Sequence, residues 1–152
     1  MGKSRHHEAA CAILIDVSGR FLLQQRDDIP GIVHPGMVGL FGGHQEPGET
    51  AIQCVVREIH EEISHFVPPA AFTCLASYDG AYPAVEGGTI HTEFFLASNL
   101  PTEDLIITEG SLLIIEPDDL ATIEPKLTPT ARFAFDVFAP SLLSKKKLTR
   151  NS

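Results

Sequence analysis

Short apolar runs broken by turn residues occupy both ends of the chain, and between them lies one stretch whose apolar positions repeat at helical spacing. Residues 9–16 read as a strand, Val17-Ser18-Gly19-Arg20 supplies turn residues, and residues 21–25 return as the second strand of a hairpin. The sequence RDDIPGIVHPG, residues 26–36, carries two prolines and two glycines and reads as a loop. A short strand over 37–41 then runs into Gly42-Gly43 and a second loop, HQEPGE. Residues 72–82 and 89–97 are two further strands around a turn region at 83–88, and 111–115 is a shorter one.

The helix begins near Thr50, where Thr50 and Gln53 form a T-x-x-Q capping box. Ile52, Val55, Val56, Ile59 and Ile63 then fall on one face, which anchors the helix on the body of the protein. Glu58, Glu61 and Glu62 fall on the other side, within an arc of roughly 100°, and this acidic face looks outward. Like charges three and four residues apart destabilise a helix by a few tenths of a kcal/mol per pair, so three glutamates on one face need a reason. A cation supplies it, and the segment 43–65, GHQEPGETAIQCVVREIHEEISH, reads as a site for divalent metal beside phosphate. Near the C-terminus, Thr128-Pro129 is an N-cap followed by proline at the first helical position, and Ala134, Phe135, Phe138 and Leu142 give the helix its apolar stripe. Residues 145–152 read as a basic solvated tail, which leaves 1–144 as a single domain.

Composition narrows the partners. A chain of 152 residues with 43% hydrophobic content suits one domain with a real core. Net charge is -9, from 20 acidic against 11 basic residues, which argues against a nucleic acid polymer spread over the surface. A small phosphorylated ligand stays open, because metal ions offset local negative charge. Cys11, Cys54 and Cys74 match no zinc spacing and read as reduced, buried, small hydrophobes. No apolar run approaches the roughly 20 residues of a membrane span, and MGKSRHHEA lacks the apolar core of a signal peptide. A cytoplasmic location is the expectation.

The spacing at the centre resembles the Nudix box: Gly, five residues, Glu, seven residues, then Arg-Glu-apolar-any-Glu-Glu-any-Gly-apolar. Gly43, Glu49, Arg57, Glu58, Ile59, Glu61 and Glu62 fall into register with it. The upstream hairpin, Arg26, the Gly42-Gly43 pair and Glu109-Gly110 also sit where Nudix proteins of the dNTP-hydrolase type commonly have them, so the resemblance covers most of the chain. It implies an α/β fold, an α/β/α sandwich with a mixed β-sheet. It implies Mg²⁺, with Mn²⁺ as the alternative, held by Glu58, Glu61 and Glu62 directly or through water and by a backbone carbonyl of the Gly42-Gly43 turn. Arg57 and Glu49 would pair and hold ligands in place, Glu58 would serve as general base, and Glu109 would be an additional ligand or the base itself. Glu93, Glu86 and Glu116 are weaker candidates.

Three departures stand out. Ser64 replaces the last glycine of the box, where a left-handed backbone costs a non-glycine residue on the order of 1 kcal/mol. His65 replaces the apolar residue after it. Phe41 occupies a position often held by proline and is expected to alter the pocket wall.

The resemblance implies a pyrophosphohydrolase acting on a nucleoside diphosphate linked to a group X, first of all a modified nucleoside triphosphate that yields nucleoside monophosphate and pyrophosphate. A nucleotide sugar or dinucleoside polyphosphate is the alternative substrate, and a non-catalytic nucleotide-binding module the alternative class. A homodimer stays open. His6, His7 and His60 read as exposed and without a role, His44 as a phosphate contact or a loop-packing residue. Of Phe94 and Phe95, one should face the core, and Tyr82 reads as a strand-end structural residue.

Overall fold

The computed structural model describes residues 6–82 and 84–143; the tail expected at 145–152 lies outside them. Seven strands among the described residues form one mixed sheet: β1 (His6–Asp16), β2 (Phe21–Gln25), β3 (Val38–Gly39), β4 (Phe41–His44), β5 (Thr73–Ala81), β6 (Thr89–Leu100) and β7 (Ser111–Ile115). Among the described residues the sheet is accompanied by α1 (Ala51–Ile63), the single turn α2 (Leu120–Ile123), α3 (Pro129–Phe138) and a helical stretch at 140–143. β1 lies at the centre, parallel to β6 and antiparallel to β2 and β4, while β5 pairs with β6 and β7 with β2.

Both faces of the sheet are covered, which explains why β1 and β2 read as continuous apolar runs rather than alternating ones. Ala10, Ala12, Leu14, Leu22, Phe41 and Phe95 pack with Val55, Ile59 and Ile63 of α1 on one side. Ile13, Phe21, Leu23 and Phe94 pack with Leu120 and with Ala131 and Phe135 of α3 on the other. Phe94 and Phe95 therefore both lie in the core, one on each face, and neither is free to stack on a base. A fully buried large side chain such as Phe94, Ile13 or Leu14 stabilises the fold by about 1.5–3 kcal/mol.

The strand expected over 37–41 is two strands. β1 and β2 pair only at Leu14↔Leu22 and Ile15↔Phe21, then diverge. Into the fork runs the chain from Val38: β3 pairs with β2 at Gln24↔Gly39, and β4, beyond Leu40, pairs with β1 over Ala9↔His44 to Ala12↔Phe41. Gly42 and Gly43 are thus strand residues, not a turn. Gly42 has φ 149, and a Cβ on it would lie 2.3 Å from the Ala10 carbonyl oxygen, so no other residue fits beside β1.

α1 has the expected cap: Thr50 Oγ1 accepts the Gln53 N–H at 3.2 Å and Gln53 Oε1 accepts the Thr50 N–H at 2.9 Å. Ser64 adopts the left-handed conformation, φ 59, that its position in the box demands. His65 does not take the apolar anchor's part; Val67, 5% exposed, packs into the core instead. α3 starts at the Thr128 cap, whose Oγ1 accepts the Ala131 N–H at 3.2 Å, but ends at Phe138, and Leu142 lies in a separate helical stretch after Ala139. Of the cysteines only Cys54 is buried; Cys11 is half-buried and Cys74 exposed, because Cys74 sits on edge strand β5.

Candidate active site

The fork between β1 and β2 opens into a cleft of about 540 Å³. One wall is Ala9, Ala10, Cys11, Gly42 and Gly43 of the β1–β4 arm; the other includes Gln24, Gly39 and Leu40 of the β2–β3 arm. Glu58, Glu62 and Glu109 line the same cleft, and Arg26, His34, Thr92 and Thr130 continue the lining. Phe41, expected in the pocket wall, does not line it: its side chain points under α1 and is fully buried.

Arg57 organises the mouth of α1. Its Nε and Nη2 donate to the two carboxylate oxygens of Glu49 at 2.6 and 2.9 Å, a bidentate pair. Nη1 reaches Glu58 at 3.0 Å and Glu61 at 3.2 Å, and Nη2 also donates to the His44 carbonyl oxygen at 3.1 Å. Those hydrogen bonds, with the Glu46 backbone next, hold the Glu49 carboxyl down at about 2. One guanidinium thus ties the loop before α1, the end of β4 and two helix glutamates together.

Glu62 departs from the expected outward face. It is 8% exposed, lying where α1 passes beneath β4, and its Oε1 accepts the Gly42 N–H at 2.8 Å. Burial pushes its carboxyl up to about 8, against the Gly42 hydrogen bond and with help from the charges of Glu58 and Glu109. Burial likewise raises Glu58, opposed by Arg57 and reinforced by Glu61 and Glu109. Gly43 makes room for that side chain, since a Cβ there would meet the Glu58 carboxyl carbon at 2.4 Å. Glu61 stands apart, with its side chain 58% exposed and held by Arg57 outside the cleft lining.

The donor set fits a hard divalent cation in type. Its side-chain donors are carboxylate oxygens, and positive charge would relieve the mutual repulsion of Glu58, Glu62 and Glu109; the Gly43 carbonyl oxygen already accepts from Cys54 Sγ at 3.3 Å. The grouping is open rather than closed: no three His, Cys, Asp or Glu side chains among the described residues are gathered tightly enough to hold an ion, and Glu58 leans on Arg57 while Glu62 leans on Gly42.

The histidines divide. His6 is exposed and pairs with Glu8 and Thr89, and the exposed His60 meets the edge of Phe66. His7 is not free: its ring lies 4.4 Å from Tyr82 and 5.4 Å from His44, and its Nε2 is buried without a hydrogen-bond partner. Burial, then His7, lowers the pKa of His44, which lines the cleft together with Tyr82. Glu93, Glu86 and Glu116 lie outside the cleft lining. Sequence reasoning missed Gln24, His34, Thr92 and Thr130. Gln24 carried a signal, a polar residue inside an apolar strand that is 4% exposed; the others carried none.

A family model for the NUDIX domain matches residues 5–134. The fold is similar to that of a MutT NUDIX hydrolase from Burkholderia pseudomallei, with a TM-score of 0.70 at 24% identity over 87% of this chain and 97% of that one. It is similar to the E. coli ORF135 protein, with a TM-score of 0.70 at 23% identity over 93% and 94%. It is also similar to a MutT protein from Methanosarcina mazei Go1, with a TM-score of 0.73 at 17% identity over 93% and 98%. Among curated proteins, none matches the chain in sequence. The chain belongs to the Nudix hydrolase family, enzymes that hydrolyse nucleoside diphosphates linked to a further group X, generally with a divalent metal. No helix among the described residues is long and apolar enough to cross a membrane.

Proposed function

We propose that this pyrophosphohydrolase acts on a modified nucleoside triphosphate and releases nucleoside monophosphate and pyrophosphate. The observation that carries this reading is that Glu58, Glu62 and Glu109 line one cleft together with Gly42 and Gly43, and that the cleft is large enough for a nucleotide. Glu58, Glu62 and Glu109, with Gly42 or Gly43, would hold Mg²⁺, or Mn²⁺ in its place, and Glu61 would reach it through water. Bound there, the cation acidifies water and offsets phosphate charge. Glu58 takes the proton of the attacking water, with Glu109 as the second candidate for that base. Arg57 and Glu49 fix the direction of the helix carboxylates. Arg26 and Gln24 line the same cleft, Gln24 bonded to the Glu109 carbonyl oxygen at 3.0 Å, and would face the substrate. The working location is the cytoplasm and the partner a small nucleotide; a homodimer is compatible with the reading.

The second reading keeps the chemistry and changes X to a second nucleoside or a sugar. It draws on Tyr82 and His44, which line the same cleft with their rings 5.2 Å apart, edge to face, and bring aromatic surface to it. Purified protein with Mg²⁺ and a panel of dNTPs, oxidised dNTPs, nucleotide sugars and dinucleoside polyphosphates decides between them. Turnover of an oxidised or otherwise modified dNTP above the rest is the expected result. Preferred turnover of a dinucleoside polyphosphate or nucleotide sugar selects the second reading, and tight binding without any turnover contradicts both.

A further inference from the structure

Glu109 is distant in sequence from α1, and the structure shows how it comes to stand over that helix. The last carbonyls of any helix lack intrahelical partners. In α1 three of them are taken by one short segment of the chain. The Ile106 N–H donates to the Ile63 carbonyl oxygen at 3.2 Å and the Thr108 N–H to that of Glu62 at 3.0 Å. Thr108 Oγ1 adds a bond to the Glu61 carbonyl oxygen at 3.2 Å. Leu105 and Ile107 pack against the core on the α1 side while Ile106 points outward, 67% exposed, so the segment lies on the helix end with alternate side chains down.

Ser64 closes the arrangement. Its left-handed backbone is one that glycine adopts without steric penalty, so the serine adds nothing to the turn itself. What it adds is a hydroxyl, and Oγ donates to the Ile106 carbonyl oxygen at 2.9 Å. From β2, Gln24 Nε2 donates to the Glu109 backbone carbonyl oxygen at 3.0 Å. Glu109 is therefore held from both directions, by the exit of α1 and by β2.

We propose that residues 106–108 form a strap that locks Glu109 against the carboxylates of α1, and that Ser64 and Thr108 are its positioning residues. The departure from glycine at the end of the box is then functional: it trades an unstrained turn for a tether. The role given to Glu109 rests on the reading in the preceding subsection, whereas the strap itself does not.

Ser64→Gly, Thr108→Val and the double variant test this with three readouts. Amide exchange at residues 106–109 reports the tether, Mn²⁺ affinity without nucleotide reports the site, and kcat and KM on the best substrate of the panel report positioning. Ser64→Gly should unfold at or above the wild-type temperature, because the left-handed turn is relieved. Its Thr108 amide should nevertheless exchange about tenfold faster, and Mn²⁺ affinity and kcat should each fall roughly tenfold with KM within about twofold. The double variant should lose more of each. Exchange at the wild-type rate in all three variants overturns the tether, and faster exchange with wild-type Mn²⁺ affinity and kcat overturns its positioning role. Should the wild type turn over nothing in the panel, the proposed substrate reading fails, while exchange and Mn²⁺ affinity still decide the strap.

Discussion

The buried carboxylate of Glu62 accepts the backbone N–H of Gly42 at 2.8 Å, and this one bond joins the acidic end of α1 to the strand that walls the cleft. Glutamine at 62 keeps an oxygen for that N–H and removes the charge. Glu62→Gln should therefore unfold no earlier than the wild type in metal-free buffer and lose at least about 100-fold in turnover. Wild-type-like activity in that variant would remove Glu62 from the cation site.

Arg57 spans Glu49, Glu58, Glu61 and the His44 carbonyl with a side chain that is 23% exposed. Removing it in Arg57→Ala leaves Glu49 and Glu58 without their charged donor and should cost about 2–3 kcal/mol in urea unfolding. Turnover should fall roughly 10–100-fold. A lysine has no planar fork to match Glu49 bidentately, so Arg57→Lys should recover less than half of either loss. Equal stability of Lys and Arg at this position would show that the bidentate geometry is unimportant.

On the β5–β6 pair, His91 sits between two carboxylates, with Nε2 2.6 Å from Glu93 and Nδ1 2.8 Å from Asp79. The Glu93 hydrogen bond, then the Asp79 one, raises its pKa to about 9. A histidine whose folded pKa is raised contributes stability that is complete below its unfolded value of about 6.5 and is lost as pH rises through the folded value. The unfolding temperature of wild type minus that of His91→Gln should therefore be largest near pH 6 and shrink to nothing above about pH 9. A difference that does not change across that interval would mean that the ring is not protonated.

The parts legible in the sequence are those set by local physics. Thr50 and Gln53 announce a capping box, the apolar stripe from Val55 to Ile63 announces α1, and Thr128-Pro129 announces α3. The register of Gly43, Glu49, Arg57 and Glu58 announces the family. What stayed hidden depends on where distant segments meet. The split of residues 38–44 into β3 and β4 follows from the divergence of β1 and β2, which no window around Leu40 contains. Helical periodicity put Glu62 on the outer face, but β4 lies over that edge of the helix and buries it. His7 read as a surface residue because its partners, Tyr82 and His44, come from β4 and the loop after β5. Glu109 was visible as a residue and not as a placement, since the bonds that hold its segment run to α1 and β2.

The central claim is that Glu58, Glu62 and Glu109 hydrolyse a phosphoanhydride with the help of a divalent cation. Its most direct test is to resolve the products formed from the best-used nucleotide by ³¹P NMR, with Mg²⁺ present and after chelation. Nucleoside monophosphate together with the remaining phosphorylated fragment, formed with Mg²⁺ and abolished by the chelator, is the predicted result. Product formation that persists at the same rate after chelation, or no product from any nucleotide offered, would contradict it.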